Sequence, residues 1–382
     1  RGRPRGARPA GPAEESCEWR RLALEGAAAS SRADHPEARR LYQAAHGCLL
    51  RSCDGAAAAE AAASLLVSIG DAHLAEWDAG AALEQYRAAW ALRGEGDEAA
   101  GWELLAKMAD AHAELGEGVD AVERLEAACD LLEAAGGLHS ARGAGVLAAL
   151  GEARLALGRY GEGAAAYQEA KGILEEQGRL ESREAASLLA NLGVALAAEN
   201  LFGEAAEEMR AAKAAFRAQG ALCGRQGAGL LTNLGSALAQ DCDMTPALQE
   251  FAEARALLVD AGAEDSEESA ALHLATGSAC VDMGQPDRAL RELDAARSLL
   301  DRGVVSPHGL DCAELFSRSG DANASLGQWE RALVDLAAVR ELLAKDGMLE
   351  TLRGAQLLRR MAALHLELGE PDEALALLQA AR

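Results

Sequence analysis

The sequence predicts an all-α solenoid of about nine stacked helix-turn-helix repeats, and three observations predict it. First, a phrase recurs: Ala190-Asn191-Leu192-Gly193-Val194-Ala195-Leu196 returns 42 residues later as Thr232-Asn233-Leu234-Gly235-Ser236-Ala237-Leu238. Second, small and large residues follow each phrase in fixed register. Third, alanine, leucine and glutamate dominate, all good helix formers, and the chain holds only two isoleucines, Ile69 and Ile173. Self-similarity at a fixed period marks an array whose repeats bury their apolar faces only against their neighbours.

The frame extends along the whole chain. A small anchor residue falls at Gly26, Gly70, Ala109, Gly151, Gly193, Gly235, Gly277, Gly320 and Ala362, in steps of 39 to 44 residues. Twelve residues past each anchor stands another small residue, as at Ala38, Ala121, Gly163, Ala205 and Ala332. Sixteen past stands a large apolar one: Tyr42, Tyr86, Leu125, Tyr167, Met209, Phe251, Leu293, Leu336 and Leu378. Small residues let two helices approach, and large ones fill the gap beside the contact. Apolar spacing of three and four gives a helical stripe, not strand alternation. Each repeat is therefore two antiparallel helices.

Turn residues separate the helices. Glycines at 136, 178, 220, 262, 303 and 347 suit the left-handed position just beyond the second helix. Within a repeat, breaks such as Gly158-Arg159-Tyr160, Gly284-Gln285-Pro286 and Gly369-Glu370-Pro371 join the pair. At the N-terminus, residues 1–13 are rich in Arg, Pro and Gly and are expected to be disordered. The array then occupies residues 14–382. Its last second helix is short and no polar capping helix follows, so the chain is expected to be a fragment of a longer protein.

Composition bounds the function. The net charge of −24 disfavours nucleic acid and anionic membranes. Eight cysteines follow no metal-site or disulfide template. No signal peptide is expected, and no apolar run approaches the ~20 residues of a membrane span. A cytoplasmic protein without cofactor or metal is expected. Asn323-Ala324-Ser325 matches a glycosylation sequon but falls inside a predicted helix. Gly94-Glu95-Gly96 lacks both the third glycine and the strand of a dinucleotide site. His73, His112 and His365 each lie three past an anchor, at packing positions. Trp77, Trp90, Trp102 and Trp329 are expected to pack near helix junctions. No constellation of catalytic groups emerges, so the chain is not expected to be an enzyme.

The anchor and the small–large–small set, as in Gly193, Ala205, Met209 and Ala212, resemble the tetratricopeptide repeat (TPR). That resemblance implies a right-handed superhelix whose first helices line a concave groove. The family's usual repeat is about 34 residues; the 42-residue spacing here and Asn191 and Asn233 resemble the longer repeats of kinesin light chain and nephrocystin. A chaperone-tail clamp is not implied, because of its five positions only Asn191 fits and Glu152 would repel a carboxylate.

In the family's frame, the residues two before and one after each anchor face the groove. They make three zones: acidic at Asp71, Asp110 and Glu152 beside Lys107, amide-bearing at Asn191 and Asn233 with Ser236, and basic at Arg318 and Arg360, with Arg359 beside the last pair. Carboxamides can pair with the backbone of an extended peptide, and arginines with a carboxylate or phosphate. The expected function is a scaffold or adaptor that holds a protein or peptide segment in this groove. The alternative is a regulatory or sensor module of a larger enzyme or transcription regulator.

Overall fold

A computed structural model describes residues 12–52, 55–93, 98–306 and 311–381. Among these, eighteen helices occur and no strand. Most of the expected N-terminal segment and Gly94-Glu95-Gly96 lie outside the described residues, though Pro12 and Ala13 already belong to the first helix. Two compact units divide the chain, at Leu180 and Glu181.

In the first unit, α1 (Pro12–Ser31) pairs with α2 (His35–Ser52) and α3 (Ala56–Ala75) with α4 (Ala79–Arg93). Next, α5 (Glu98–Glu114) pairs with α6 (Gly118–Ala134) and α7 (Ala141–Ala156) with α8 (Tyr160–Glu176). The second unit begins with α9 (Arg183–Ala198) on α10 (Phe202–Ala218) and α11 (Gly224–Gln240) on α12 (Met244–Asp260). It continues with α13 (Glu267–Asp282) on α14 (Pro286–Asp301) and α15 (Cys312–Ser325) on α16 (Trp329–Lys345). A final pair, α17 (Leu352–Glu367) and α18 (Pro371–Ala380), closes the described chain.

The small–large register is a steric fit inside each pair. A methyl group added at Gly70 would stand 2.4 Å from the Tyr86 ring, and at Gly235 2.5 Å from the Phe251 ring. At Gly193 it would meet the Met209 side chain at 2.5 Å. The small residues twelve and nineteen past the anchor, such as Ala205 and Ala212, are completely buried. They let the second helix approach, and the large residue between them covers the anchor. The last repeat departs from this pattern, with Leu378 exposed on the ten-residue α18.

Turn geometry repeats as strictly. All six glycines closing the second helices take positive φ, between 60° and 70°. So does the residue seven past every anchor, in the turn inside each pair. It is glycine at Gly116, Gly158, Gly284, Gly327 and Gly369, but Ala33, Trp77, Asn200 and Cys242 hold φ of 57° to 68° at the same place. Side chains other than glycine and asparagine pay about 1–2 kcal/mol there. Trp77 is also 85% exposed, which corrects the expectation that it packs at a junction. Trp90, Trp102 and Trp329 do pack against core clusters.

Ion pairs tie successive second helices of the second unit together. Lys213 Nζ donates to Glu250 at 2.6 Å and Glu253 at 2.7 Å. Arg255 donates to Glu292 at 2.9 Å, and Arg297 to Asp335 at 2.6 Å. In all three steps a cation twenty past one anchor meets an acid fifteen past the next. Burial works to raise the Glu292 pKa, but hydrogen bonds from His273 and Arg255 outweigh it and hold the carboxyl down at about 2. A depressed carboxyl contributes stability that is present above its ordinary value and fades as pH falls through the folded one. Chemical denaturation between pH 5 and pH 2 therefore should show the advantage of the native protein over Glu292→Gln shrinking by about 2 kcal/mol.

Candidate functional site

The first helices of the second unit pack side by side, α9 on α11, α11 on α13 and α13 on α15. This alignment creates an open face with two adjoining hollows. One, of about 350 Å³, is lined by Asn233, Ser236 and Gln240 from α11, and Ser278 and Asp282 from α13. The other, of about 150 Å³, is lined by Val194 and Phe202 together with the same Asn233, Ser236 and Gln240. Asn233 and Ser236 thus stand on the shared rim, as the spacing of one helical turn requires.

Asn191 lies one repeat earlier, half-buried on α9, while Asn233 is exposed. Neither carboxamide makes a side-chain hydrogen bond among the described residues, and neither does the Ser236 hydroxyl. A carboxamide offers two donors and one acceptor oxygen. The face therefore presents open donors and acceptors beside apolar Val194 and Phe202, which suits the backbone and side chains of an extended segment.

The groove positions meet across repeats in a way that spacing alone did not display. At two steps the residue two before one anchor bonds the residue one after the preceding anchor. In the first unit Lys107 Nζ donates to Asp71 at 2.8 Å, and the same oxygen accepts the Tyr86 hydroxyl at 2.8 Å. Burial, then the Asp71 charge, drives the Tyr86 phenol far above its ordinary pKa. Asp110, on the neighbouring surface of that unit, is also raised. Crowding that thins its hydration is the main cause, opposed by Lys107 and reinforced by Glu152, Glu114 and Asp71. In the second unit Arg360 donates to Asp321, and to the Ser317 hydroxyl at 2.9 Å.

Two of the three basic residues are therefore already engaged. Arg318 donates to Glu314 at 2.6 Å and Asp282 at 2.7 Å, which lifts its pKa further despite its burial. Arg318 and Arg360 thus brace neighbouring first helices instead of standing open for a ligand's acid. Arg359 is exposed and has no ion-pair partner among the described residues. Asn233 has an apolar counterpart, Val194, in the pairing that gives Lys107 its Asp71. No ionic partner exists there to occupy it.

The three histidines at packing positions are structural. His112 Nδ1 lies 2.6 Å from Glu117, His365 Nδ1 2.7 Å from Glu370, and His73 Nδ1 3.5 Å from Asp78. In each case the acid is eight past the anchor, beside the start of the second helix, so the contact ties the turn to the first helix. Asn323 of the apparent sequon is buried and donates to Asp335 at 2.9 Å, which leaves it inaccessible to a glycosylating enzyme. Among the described residues no helix is long and apolar enough to cross a membrane.

No protein-family model matches the sequence, and no curated protein is similar to it. Solved structures do share its fold. The apo form of the quorum sensor NprR from B. thuringiensis superimposes with a TM-score of 0.63 at 11% identity, over 95% of this chain and 97% of that one. A Rap protein complexed with competence and sporulation factor gives 0.51 at 13% identity, over 97% and 98%. BtubC from P. vanneervenii gives 0.50 at 20% identity, over 63% of this chain and 91% of that one. At these identities the likeness is one of fold, and the fold is that of TPR-type repeat proteins.

Proposed function

We propose that this chain is a binding module that holds an extended peptide segment of a partner across α9, α11 and α13, with Asn191, Asn233 and Ser236 reading the peptide backbone. The observation that carries this is the pair of adjoining hollows with Asn233 and Ser236 on their common rim, both without an internal partner. Fold-mates lend support of a coarser kind. One is a quorum sensor and another was solved with competence and sporulation factor, which agrees with a protein-interaction or sensor role. Many shallow contacts along such a face give specificity without one deep pocket.

The test is a random-peptide display selection on the native protein, followed by affinity measurement of the selected peptides. Removing both carboxamides in Asn191→Ala/Asn233→Ala is expected to weaken those peptides by about 10- to 100-fold, from two lost hydrogen bonds of ~1 kcal/mol or somewhat more each. Because neither amide braces the fold, the thermal midpoint should move by no more than about 2 °C. Selected peptides that bind the double variant as tightly as the native protein would remove these residues from the site. A further member of the series, Arg359→Glu, separates the zones, since only partners with an acidic segment should lose affinity.

A further inference from the structure

In the eighth repeat, three helix-core positions carry polar side chains that enclose a second cavity. The residue just before the anchor is apolar in six of the nine repeats, as Ile69, Met108, Leu150, Leu192, Leu234 and Met361, while the first repeat has Glu25. Thr276 holds that place in the seventh repeat, but returns its hydroxyl to the Leu272 carbonyl at 2.8 Å. In the eighth repeat it is Ser319, which is 1% exposed and whose Oγ has no partner. Asn323 and Asp335, also buried, complete the polar wall.

These residues line a cavity of about 400 Å³ between α14, α15 and α16, all within the second compact unit. Asp335 is satisfied, since one oxygen accepts from Arg297 and the other from Asn323. Two donors in the wall remain open: the Ser319 hydroxyl and the buried Arg297 Nε–H. A buried donor without an acceptor costs about 1–3 kcal/mol, and its retention calls for a cause. At the mouth stand the exposed side chains of Asp294 and Glu330, neither in an ion pair among the described residues, and of Arg331, which donates to Gln328 at 2.9 Å.

We infer that this cavity binds a free α-amino acid. Both open donors call for an acceptor oxygen, and a carboxylate supplies two. Asp294, Glu330 and Asp335 outnumber Arg297 and Arg331 in the lining, which disfavours an anion alone, whereas a zwitterion places its ammonium beside the acids. The volume lies at the lower end of the ~300–1,000 Å³ typical of small-molecule sites, large enough for an amino acid and too small for a folded segment. Stacking does not require the Ser319 hydroxyl, because six other repeats stack with an apolar residue at that register. The site is independent of the peptide-binding face on α9, α11 and α13.

The experiment is a thermal-shift screen of the native protein with the twenty free amino acids at millimolar concentration, with calorimetry on those that act. At least one should raise the midpoint by about 2 °C or more, as ligand binding to the folded state requires. Its carboxamide and its N-acetyl derivative should each bind at least about tenfold more weakly, since each removes one of the two charges. Ser319→Ala should weaken binding at least about tenfold, the value of one hydrogen bond to a charged group. So should Asp294→Asn/Glu330→Gln, whose positions are exposed and whose folding is safe. If no amino acid shifts the midpoint, or if the carboxamide binds equally well, the inference fails. It fails equally if both variants bind like the native protein.

Discussion

Gly143→Ala is expected to destabilise the protein by about 3 kcal/mol, while Gly145→Ala, two residues along the same helix, stabilises it by about 0.5–1 kcal/mol. A methyl group at Gly143 would sit 1.9 Å from the carbonyl oxygen of Leu138 and 2.6 Å from its carbon. Those are backbone atoms of the loop that carries the chain into α7, so no rotamer change relieves the clash. The loop must move, and with it the Ser140 cap that accepts the Gly143 N–H at 3.3 Å. At Gly145 an added methyl meets nothing within 4 Å, and only the entropic benefit of alanine in a helix remains. Ala185 holds the Gly143 register in the following repeat, so the penalty belongs to the loop path and not to the helix. Urea denaturation of the two single variants measures the contrast. Equal and small effects of the two substitutions would show that the loop yields freely.

The contrast also marks what the sequence could disclose. The anchors were legible because Gly70 against Tyr86, or Gly235 against Phe251, is a contact inside one helix pair, and sixteen residues is a fixed distance in such a pair. The turns were legible where glycine occupies them. Ala33, Trp77 and Cys242 sit in the same left-handed geometry with residues that do not announce it, so Trp77 looked like a packing residue. Which groove residues meet one another was not legible. That depends on the offset between stacked repeats, which brings Lys107 to Asp71 and Arg360 to Asp321. The offset turned Arg318 and Arg360 from candidate ligands into braces, and left Asn233 beside Val194 with nothing to bond. The polar cavity of the eighth repeat did leave a signal, in Ser319 where other repeats have Leu192 or Leu234. It could be read only once the anchor register was known to be a packing register.

Asp335→Ala is expected to cost about 3–5 kcal/mol, which makes it the most damaging single truncation of a polar side chain in the second unit. The carboxylate is 5% exposed and satisfies two groups from different helices, Arg297 of α14 and Asn323 of α15. Removing it leaves a guanidinium and a carboxamide without an acceptor in the wall of the polar cavity. That loss differs from the net worth of the pair, because burying both charges also carried a desolvation cost. The double variant Arg297→Met/Asp335→Leu separates the two quantities. Leucine already occupies the same register at Leu41 and Leu377, and methionine restores the apolar length of the arginine stem over the Phe316 ring, whose centroid now lies 4.9 Å from the guanidinium carbon. The double variant should recover most of the stability lost by Asp335→Ala and fall within about 1–2 kcal/mol of the native protein. A double variant as unstable as the single one would mean that the ion pair itself, and not its orphaned partners, holds α14, α15 and α16 together.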